Sequence, residues 1–149
     1  MRDDEQEWSE AAIAALPAWT LVQAYHVIAR RFSAAFADAG LGPTQFGVLA
    51  TLAAAPGLGQ GELARRNLVS PQNIGELIAS LEARGLVERP ANPGRGRRRS
   101  VHLTETGRHT LRQITPAIRK INTPESLGLS ATDAAELNRL LHLVRANAS

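Results

Sequence analysis

The most informative absence from this chain of 149 residues is cysteine, which does not occur at all. A disulfide framework and a thiol switch are therefore both excluded. Long apolar runs are missing as well, because Arg, Gln or Asp interrupts every candidate for a membrane span. The first ten residues, MRDDEQEWSE, are acidic and so do not resemble a signal peptide. A cytoplasmic protein without a membrane partner is the simplest expectation.

The chain also lacks a recognisable catalytic constellation, which requires a converging acid, base or nucleophile. Its histidines fall on separate predicted elements and match no hydrolase or oxidoreductase spacing: His26, His102, His109 and His142. Glu105 and His109 lie four residues apart on one predicted helix, a spacing that suits a metal ion. A surface contact is the simpler interpretation, because no further ligand clusters with them in the sequence. We therefore expect no enzyme, no cofactor and no metal site, although metal binding by this pair stays open.

The charge that is present is unevenly distributed. Apolar residues make up 44% of the chain and charged residues 21%, which is typical of one globular domain of this length. The formal net charge is only +3, yet residues 84–99 hold six arginines against one glutamate. Residues 1–10 instead hold one arginine against five carboxylates. A local basic segment of this kind indicates a nucleic-acid partner.

Residues 62–85 have the pattern of two short helices joined by a tight turn. The first is predicted over Glu62–Asn67, and the turn over Asn67–Val69, where Asn tolerates a left-handed conformation and Leu and Val fill the joint. Ser70 is the predicted N-cap of the second helix, with Pro71 at its first position. Gly85 is predicted to end it. The residues that repeat at helical spacing toward a core are Ile74, Leu77, Ile78 and Leu81.

A two-stranded ribbon with a basic tip is predicted to follow. Its strands are Leu86–Arg89 and Ser100–Leu103, with a turn at residues 92–94. The tip carries Arg95, Arg97, Arg98 and Arg99. A helix-turn-helix beside a basic finger predicts contact with double-stranded DNA, through the major groove and the phosphate backbone or a narrow minor groove. A solvated basic hairpin is the alternative.

The segment LARRNLVSPQNIGELIASLEARGLVER, followed by the arginine-rich hairpin that ends in VHLTETG, resembles the MarR family of winged-helix transcriptional regulators. The resemblance extends to GLGPTQFGVLATL before it and LGLSATDAAELNRLLHLV after it. It implies a mainly α fold with a small β-wing, in which N- and C-terminal helices form a homodimer. It also implies a ligand pocket between these helices and the DNA module. Without cysteine, the thiol-based peroxide sensing of some relatives is excluded.

The predicted organisation is a single domain over residues 1–149. Residues 9–39 form a long helix with a break near Leu16–Pro17, and residues 105–149 contain further helices capped by Thr104 and Ser130, with a loop at 122–128 and a kink or break at Pro116. Together they are the expected dimerisation helices. The winged helix-turn-helix occupies residues 44–104, with Thr44 as the N-cap of its first helix and a loop at residues 56–59.

The candidate DNA-binding residues outside the finger are Ser70, Pro71, Gln72, Asn73 and Glu76. Gln72 and Asn73 can bind adenine through their amides, and Glu76 can accept from a cytosine amino group. Relatives often carry an Asp where this chain has Arg95, so Arg97, the candidate for the minor groove, lacks its usual ion pair. The candidate ligand residues are Tyr25, His26, Arg30, Phe46 and Arg112, with His109 as a further option.

The expected function is a homodimeric repressor released from a palindromic operator by a small aromatic or anionic ligand. One alternative keeps the fold and makes the protein an effector-independent activator or an architectural DNA binder. Another is a winged-helix module for protein–protein contacts that has lost specific DNA binding, because Gly75 and Glu76 stand where relatives carry arginine or a small hydroxyl residue.

Overall fold

The computed structural model describes residues 8–90 and 100–147, so the finger arginines Arg95, Arg97, Arg98 and Arg99 and the turn predicted at residues 92–94 lie outside the described residues. The described part is mainly helical with a small sheet, in agreement with the predicted fold class. The elements in order are α1 (Glu10–Ala14), α2 (Pro17–Ala37), α3 (Pro43–Ala54), β1 (Leu58–Gly59), α4 (Gln60–Arg66), α5 (Pro71–Ala83), β2 (Val87–Glu88), β3 (Ser100–Leu103), α6 (Glu105–Ile121), α7 (Pro124–Leu127) and α8 (Ala131–Asn147).

The sheet has three strands in the order β1–β3–β2, all antiparallel. The prediction of a loop over residues 56–59 is therefore wrong in its second half, because Leu58 pairs with Val101 and Gly59 with Ser100. Two residues are too few for a periodic pattern, so the sequence carries no signal for this strand. Pairing with β1 fixes one edge of β3, and Val87 opposite Leu103 fixes the other.

The core lies where α3, α4, α5 and the sheet meet, with the end of α2 and the middle of α6 closing it. Its fully buried side chains are Phe36, Val48, Leu49, Leu52, Leu63, Ile74, Ile78, Leu81, Val87 and Val101. The predicted inward face of the second helix is confirmed, with Leu77 half-buried beside the others. Each buried aliphatic or aromatic side chain contributes about 1.5–3 kcal/mol. Burial of its apolar face in this core therefore stabilises the helix-turn-helix.

The turn between α4 and α5 differs from the prediction. Asn67 has a φ of −98°, and the left-handed residue is Leu68, with a φ of +54°. Leu68 is 78% exposed and does not fill the joint, whereas Val69 packs against the core. The Asn67 side chain is occupied elsewhere, because its Nδ2 donates to the Leu63 carbonyl at 2.9 Å and to Thr51 Oγ1 at 3.3 Å. Leu68, the next residue, therefore adopts the left-handed conformation of the turn.

Most of the helix ends lie where the local sequence signals predict them. The Leu16–Pro17 break, the end of α5 at Gly85 (φ +70°) and the caps at Ser70, Thr104 and Ser130 are confirmed. The N-cap of α3 is Gly42 rather than Thr44, because Pro43 takes the first helical position and Gln45 Oε1 accepts from the Gly42 N–H at 3.0 Å.

Two predictions about the C-terminal part are corrected. The helix α6 runs through Pro116 without a break, from Glu105 to Ile121. The predicted loop at 122–128 contains a short helix, α7, capped by Thr123. The carbonyl of Ser126 in α7 accepts a hydrogen bond from Arg31 Nη1 at 2.7 Å, which ties this segment to α2. That contact spans 95 residues, so no local pattern could reveal it.

The helices α2 and α8 leave much of their apolar surface uncovered in the single chain. The exposed side chains include Leu21, Val22, Tyr25, Leu137, Leu140, Leu143 and Val144. Leu140 is 45% exposed and Val144 is 51% exposed. Within residues 8–90 and 100–147, no helix is both long and apolar enough to cross a membrane.

Candidate nucleic-acid interface and adjoining cavity

The start of α5 is an exposed helix N-terminus with polar side chains on it. Ser70 Oγ accepts from the Asn73 N–H at 3.2 Å, and Pro71 occupies the first turn. Gln72, Asn73 and Glu76 are all exposed. Free N–H groups and the positive end of a helix dipole attract phosphate oxygens, while the two amides can reach base edges. The structure thus brings the predicted reading residues together on one surface.

Gly75, on the same helix, is half-buried rather than fully outward. A Cβ at this position would lie 3.1 Å from Gln60 Nε2, at the start of α4. Gly75 therefore faces the Gln60 side chain where α4 and α5 pack together.

A carboxylate on α4 holds two arginines that the sequence analysis did not single out. Glu62 accepts from Arg65 Nη2 at 2.5 Å and from Arg66 Nε at 2.7 Å. These hydrogen bonds lower the pKa of Glu62 to about 2. The spacing of three and four residues on one helix was the available signal. Glu62 thus pairs with both exposed guanidinium groups at the end of α4.

Arg89, the residue after β2, pairs with Glu82 near the end of α5. Arg89 Nε lies 3.3 Å from Glu82 Oε2 at the point where the described part of the chain ends. On the returning strand, Ser100 Oγ and His102 Nε2 are 3.0 Å apart. The pairing of β2 with β3 sets Glu88 opposite His102, so the described residues on either side of 91–99 lie side by side.

A cavity of ≈ 590 Å³ lies between α3 and α6. Its lining consists of Phe46, Ala50, Ala53, Ala54, Arg108, Leu111, Arg112, Thr115, Ile118 and Arg119. The floor is apolar and its cations are three arginines of α6, with no carboxylate in the lining. Such a cavity suits a small molecule with an apolar body and a negative group.

One carboxylate lies beside this cavity. Glu105 Oε1 accepts from Arg112 Nη2 at 2.8 Å, and Glu105 Oε2 lies 3.9 Å from Arg108 Nε. The hydrogen bond from Arg112, together with the nearby positive charges, lowers the pKa of Glu105. Among the described residues, no group of three or more His, Asp or Glu side chains is arranged to hold a metal ion.

The predicted ligand residues are divided between different places. Phe46 and Arg112 line the cavity between α3 and α6. Tyr25 lines a second, mainly apolar cavity of ≈ 640 Å³ between α2 and α8, with Leu21, Ile28 and Leu141 among its walls. His26 and Arg30 line neither cavity; the His26 ring lies 5.6 Å from that of Tyr25. Arg108 and Arg119 were missed, although they lie four residues before and seven residues after Arg112, at helical spacing.

Comparison with known proteins identifies relatives across most of the chain. Residues 39–98 match the model of the MarR family. The HTH-type transcriptional repressor Rv2887 of Mycobacterium tuberculosis is 33% identical over 115 residues, which cover 77% of this chain and 83% of the relative. A probable transcriptional regulator from Pseudomonas aeruginosa superposes with a TM-score of 0.78 at 30% identity, covering 89% of this chain and 98% of that one.

Rv2887 has also been solved with salicylic acid and with DNA. The salicylic acid complex superposes with a TM-score of 0.68 at 31% identity, covering 87% of this chain and 96% of that one. The DNA complex superposes with a TM-score of 0.71 at 28% identity, covering 87% and 98%. These matches extend over the helix-turn-helix and the flanking helices alike.

Proposed function

The chain belongs to the MarR family of transcriptional regulators, and we propose that it is a homodimeric repressor released from a palindromic operator by a small aromatic or anionic ligand. As a family member it is a DNA-binding regulator rather than an enzyme. The observation that carries the proposal is the exposed, mainly polar surface at the start of α5, formed by Ser70, Pro71, Gln72, Asn73 and Glu76. Arg95, Arg97, Arg98 and Arg99 supply the phosphate or minor-groove contacts.

The uncovered apolar faces of α2 and α8 support the homodimer. Leu140 and Val144 are about half exposed in the single chain, and burying such a side chain is worth about 1.5–3 kcal/mol. A second copy placed on these faces would cover them. It would also set two α5 helices about one duplex turn apart, roughly 34–36 Å, as an inverted repeat requires.

The cavity between α3 and α6 supports the proposal of a small-molecule ligand. Its apolar floor and three arginines suit an aromatic acid. Rv2887 has been solved with salicylic acid, which belongs to this chemical class. Phe46 would contact the ring and Arg112 the carboxylate. Because α6 begins directly after β3, a ligand held against α6 would act next to the wing.

Three measurements test the proposal on the full chain. DNA selected from a random pool should converge on an inverted repeat, and sedimentation at micromolar concentration should give a dimer. Salicylate should weaken operator binding. A chain that sediments as a monomer contradicts the homodimer, and a pool without enrichment supports the protein–protein module. Operator binding that no aromatic acid changes supports the effector-independent alternative.

The contribution of the finger has its own test. Replacing Arg97 and Arg98 with Ala should weaken binding to operator and random DNA alike. It should also reduce the slope of log K against log salt by about 0.9 for each phosphate that the variant no longer neutralises. Replacing Arg139 and Arg145 on α8 removes the same charge away from the finger and serves as the control. An unchanged slope in the finger variant contradicts the proposed phosphate binding.

A further inference from the structure

The arginines that line the cavity between α3 and α6 are already partly neutralised by the chain itself. Arg112 Nη2 donates to Glu105 Oε1 at 2.8 Å, and Glu105 Oε2 lies 3.9 Å from Arg108 Nε. Glu105 is outside the lining, while both arginines belong to it. One carboxylate at the rim is therefore directed toward the cations that a bound anion would need.

This ion pair is exposed to water. The side chain of Glu105 is 76% exposed and that of Arg112 is 61% exposed. Exposed pairs are weak, because water and salt screen the charges and both long side chains lose freedom. A carboxylate bound inside the cavity would meet the same guanidinium against an apolar floor formed by Phe46, Leu111 and Ile118. The apolar body of such a ligand would be buried on this floor, a contribution that Glu105 lacks, so the exchange of one carboxylate for the other is favourable.

The backbone around Glu105 is fixed, which leaves only its side chain free to move. Thr104 caps α6 by accepting from the Gly107 N–H at 3.0 Å, and its own hydroxyl donates to the Gly85 carbonyl at 2.5 Å. Gly107 packs so closely that an added Cβ would lie 2.1 Å from the Leu86 carbonyl oxygen. A displaced Glu105 carboxylate stays in the first turn of α6, where the helix dipole stabilises a negative charge.

We infer that Glu105 is an internal counter-anion of the cavity, which competes with a ligand carboxylate for Arg112. This inference rests on the proposed function, which takes the cavity between α3 and α6 as the ligand site. Glu105 thereby determines specificity in two ways. It raises the ligand concentration needed for release, and it favours ligands with a full negative charge, since a neutral group cannot replace its carboxylate on Arg112.

Calorimetric titration of the full chain with salicylate tests the inference. The substitution Glu105→Gln keeps the size of the side chain and removes its charge, so it should lower the Kd for salicylate about two- to fivefold, the range expected for an exposed ion pair. The neutral analogue salicylamide should gain nothing from the same substitution. Glu136→Gln is the matched control, because Glu136 also accepts from an arginine, Arg139 Nη2, at 2.5 Å on α8 and away from the cavity. It should leave the Kd for salicylate unchanged.

A second set of variants separates this inference from the proposal beneath it. In an Arg112→Ala background, Glu105→Gln should no longer improve salicylate binding, because the shared partner is gone. If the wild-type chain binds salicylate and Glu105→Gln binds it equally or more weakly, the counter-anion is wrong while the ligand site stands. If neither the wild-type chain nor any variant binds salicylate, both the ligand site and the role of Glu105 as counter-anion are overturned.

Discussion

Arg84 and Gly40 join the end of α5 to the end of α2, with Arg84 Nη1 donating to the Gly40 carbonyl at 2.7 Å. The other terminal nitrogen, Nη2, donates to the Ala39 carbonyl at 2.9 Å. The contact spans 44 residues and connects α5, which carries the candidate DNA-binding residues, to α2, whose apolar face is uncovered. Arg84 therefore joins the two helices directly.

The first prediction follows from this contact. Replacing Arg84 with Gln removes two hydrogen bonds from a charged donor and leaves two carbonyls to water. We expect the free energy of unfolding to fall by about 1–2 kcal/mol, measured by urea denaturation. The substitution Arg84→Lys keeps the charge but not the fork, so it should lie between wild type and Gln. Equal stability of all three proteins would mean that the guanidinium does not hold α2.

The second prediction concerns the backbone strain at Leu68. A left-handed conformation costs a non-glycine residue about 1–2 kcal/mol, and Asn tolerates it better than Leu. Because Leu68 is mostly exposed, its replacement loses little packing. We expect Leu68→Asn to raise the free energy of unfolding by about 0.5–1 kcal/mol. The control Leu68→Ala keeps the backbone strain, so it should not raise the free energy of unfolding. If Ala raises it as much as Asn does, the exposed leucine side chain, rather than the positive φ, destabilises the wild type.

The third prediction concerns Gly107, which packs against backbone. A Cβ there would lie 2.1 Å from the Leu86 carbonyl oxygen. This oxygen belongs to the backbone, so it cannot move aside as a flexible side chain could. Gly107→Ala should reduce the free energy of unfolding by about 3 kcal/mol or more, because the first turn of α6 must move away from the wing. Gly59→Ala, which meets nothing within 4 Å, is the control. Similar thermal stability of both variants would contradict the close approach.

The fourth prediction concerns DNA specificity. Replacing Gln72 or Asn73 with Ala should cost about 1–3 kcal/mol on the selected operator and little on random DNA. The reason is that an amide bound to a base edge discriminates between sequences, whereas a phosphate contact does not. Fluorescence anisotropy with both DNAs at one salt concentration measures the difference. Equal losses of binding free energy on both DNAs would mean that these side chains position the protein on DNA and do not read its sequence.

The fifth prediction is a pH dependence that arises from Glu62. Its pKa is about 2 in the folded chain, well below the ordinary value of 4.5. Between these values the unfolded chain binds the extra proton, so stability falls as the pH falls. The stability difference between wild type and Glu62→Gln should be constant above pH 4.5 and shrink toward pH 2. A stability difference that stays constant down to pH 2 would contradict this role of the Glu62 pKa.

Much of the fold could be predicted because its signals are local. Caps at Ser70, Thr104 and Ser130, the stop at Gly85 and the strand Ser100–Leu103 each depend on a few neighbouring residues. The candidate DNA surface on α5 could be located for the same reason, since helical spacing decides which side chains point outward. The DNA roles of these residues and of the finger remain predictions.

The ligand residues were harder to assign from the sequence. Phe46 and Arg112 share a cavity, but Tyr25 lines a different one, and His26 and Arg30 line neither. A resemblance indicates which helices surround a pocket, whereas the crossing of those helices decides which face points into it. Arg108 and Arg119 join the cavity only because that face of α6 lies against α3.

The sequence by itself determined the order of the longer helices, the caps at Ser70, Thr104 and Ser130 and the buried face of α5, because these depend on contacts within three or four residues. Tertiary structure decided what depends on distant partners. Leu58 becomes a strand only beside Val101, and Leu68 rather than Asn67 turns left-handed because Thr51, on another helix, holds the Asn67 amide. The cavity arginines likewise acquire a site only where α6 packs against α3, since packing joins residues that no local pattern connects.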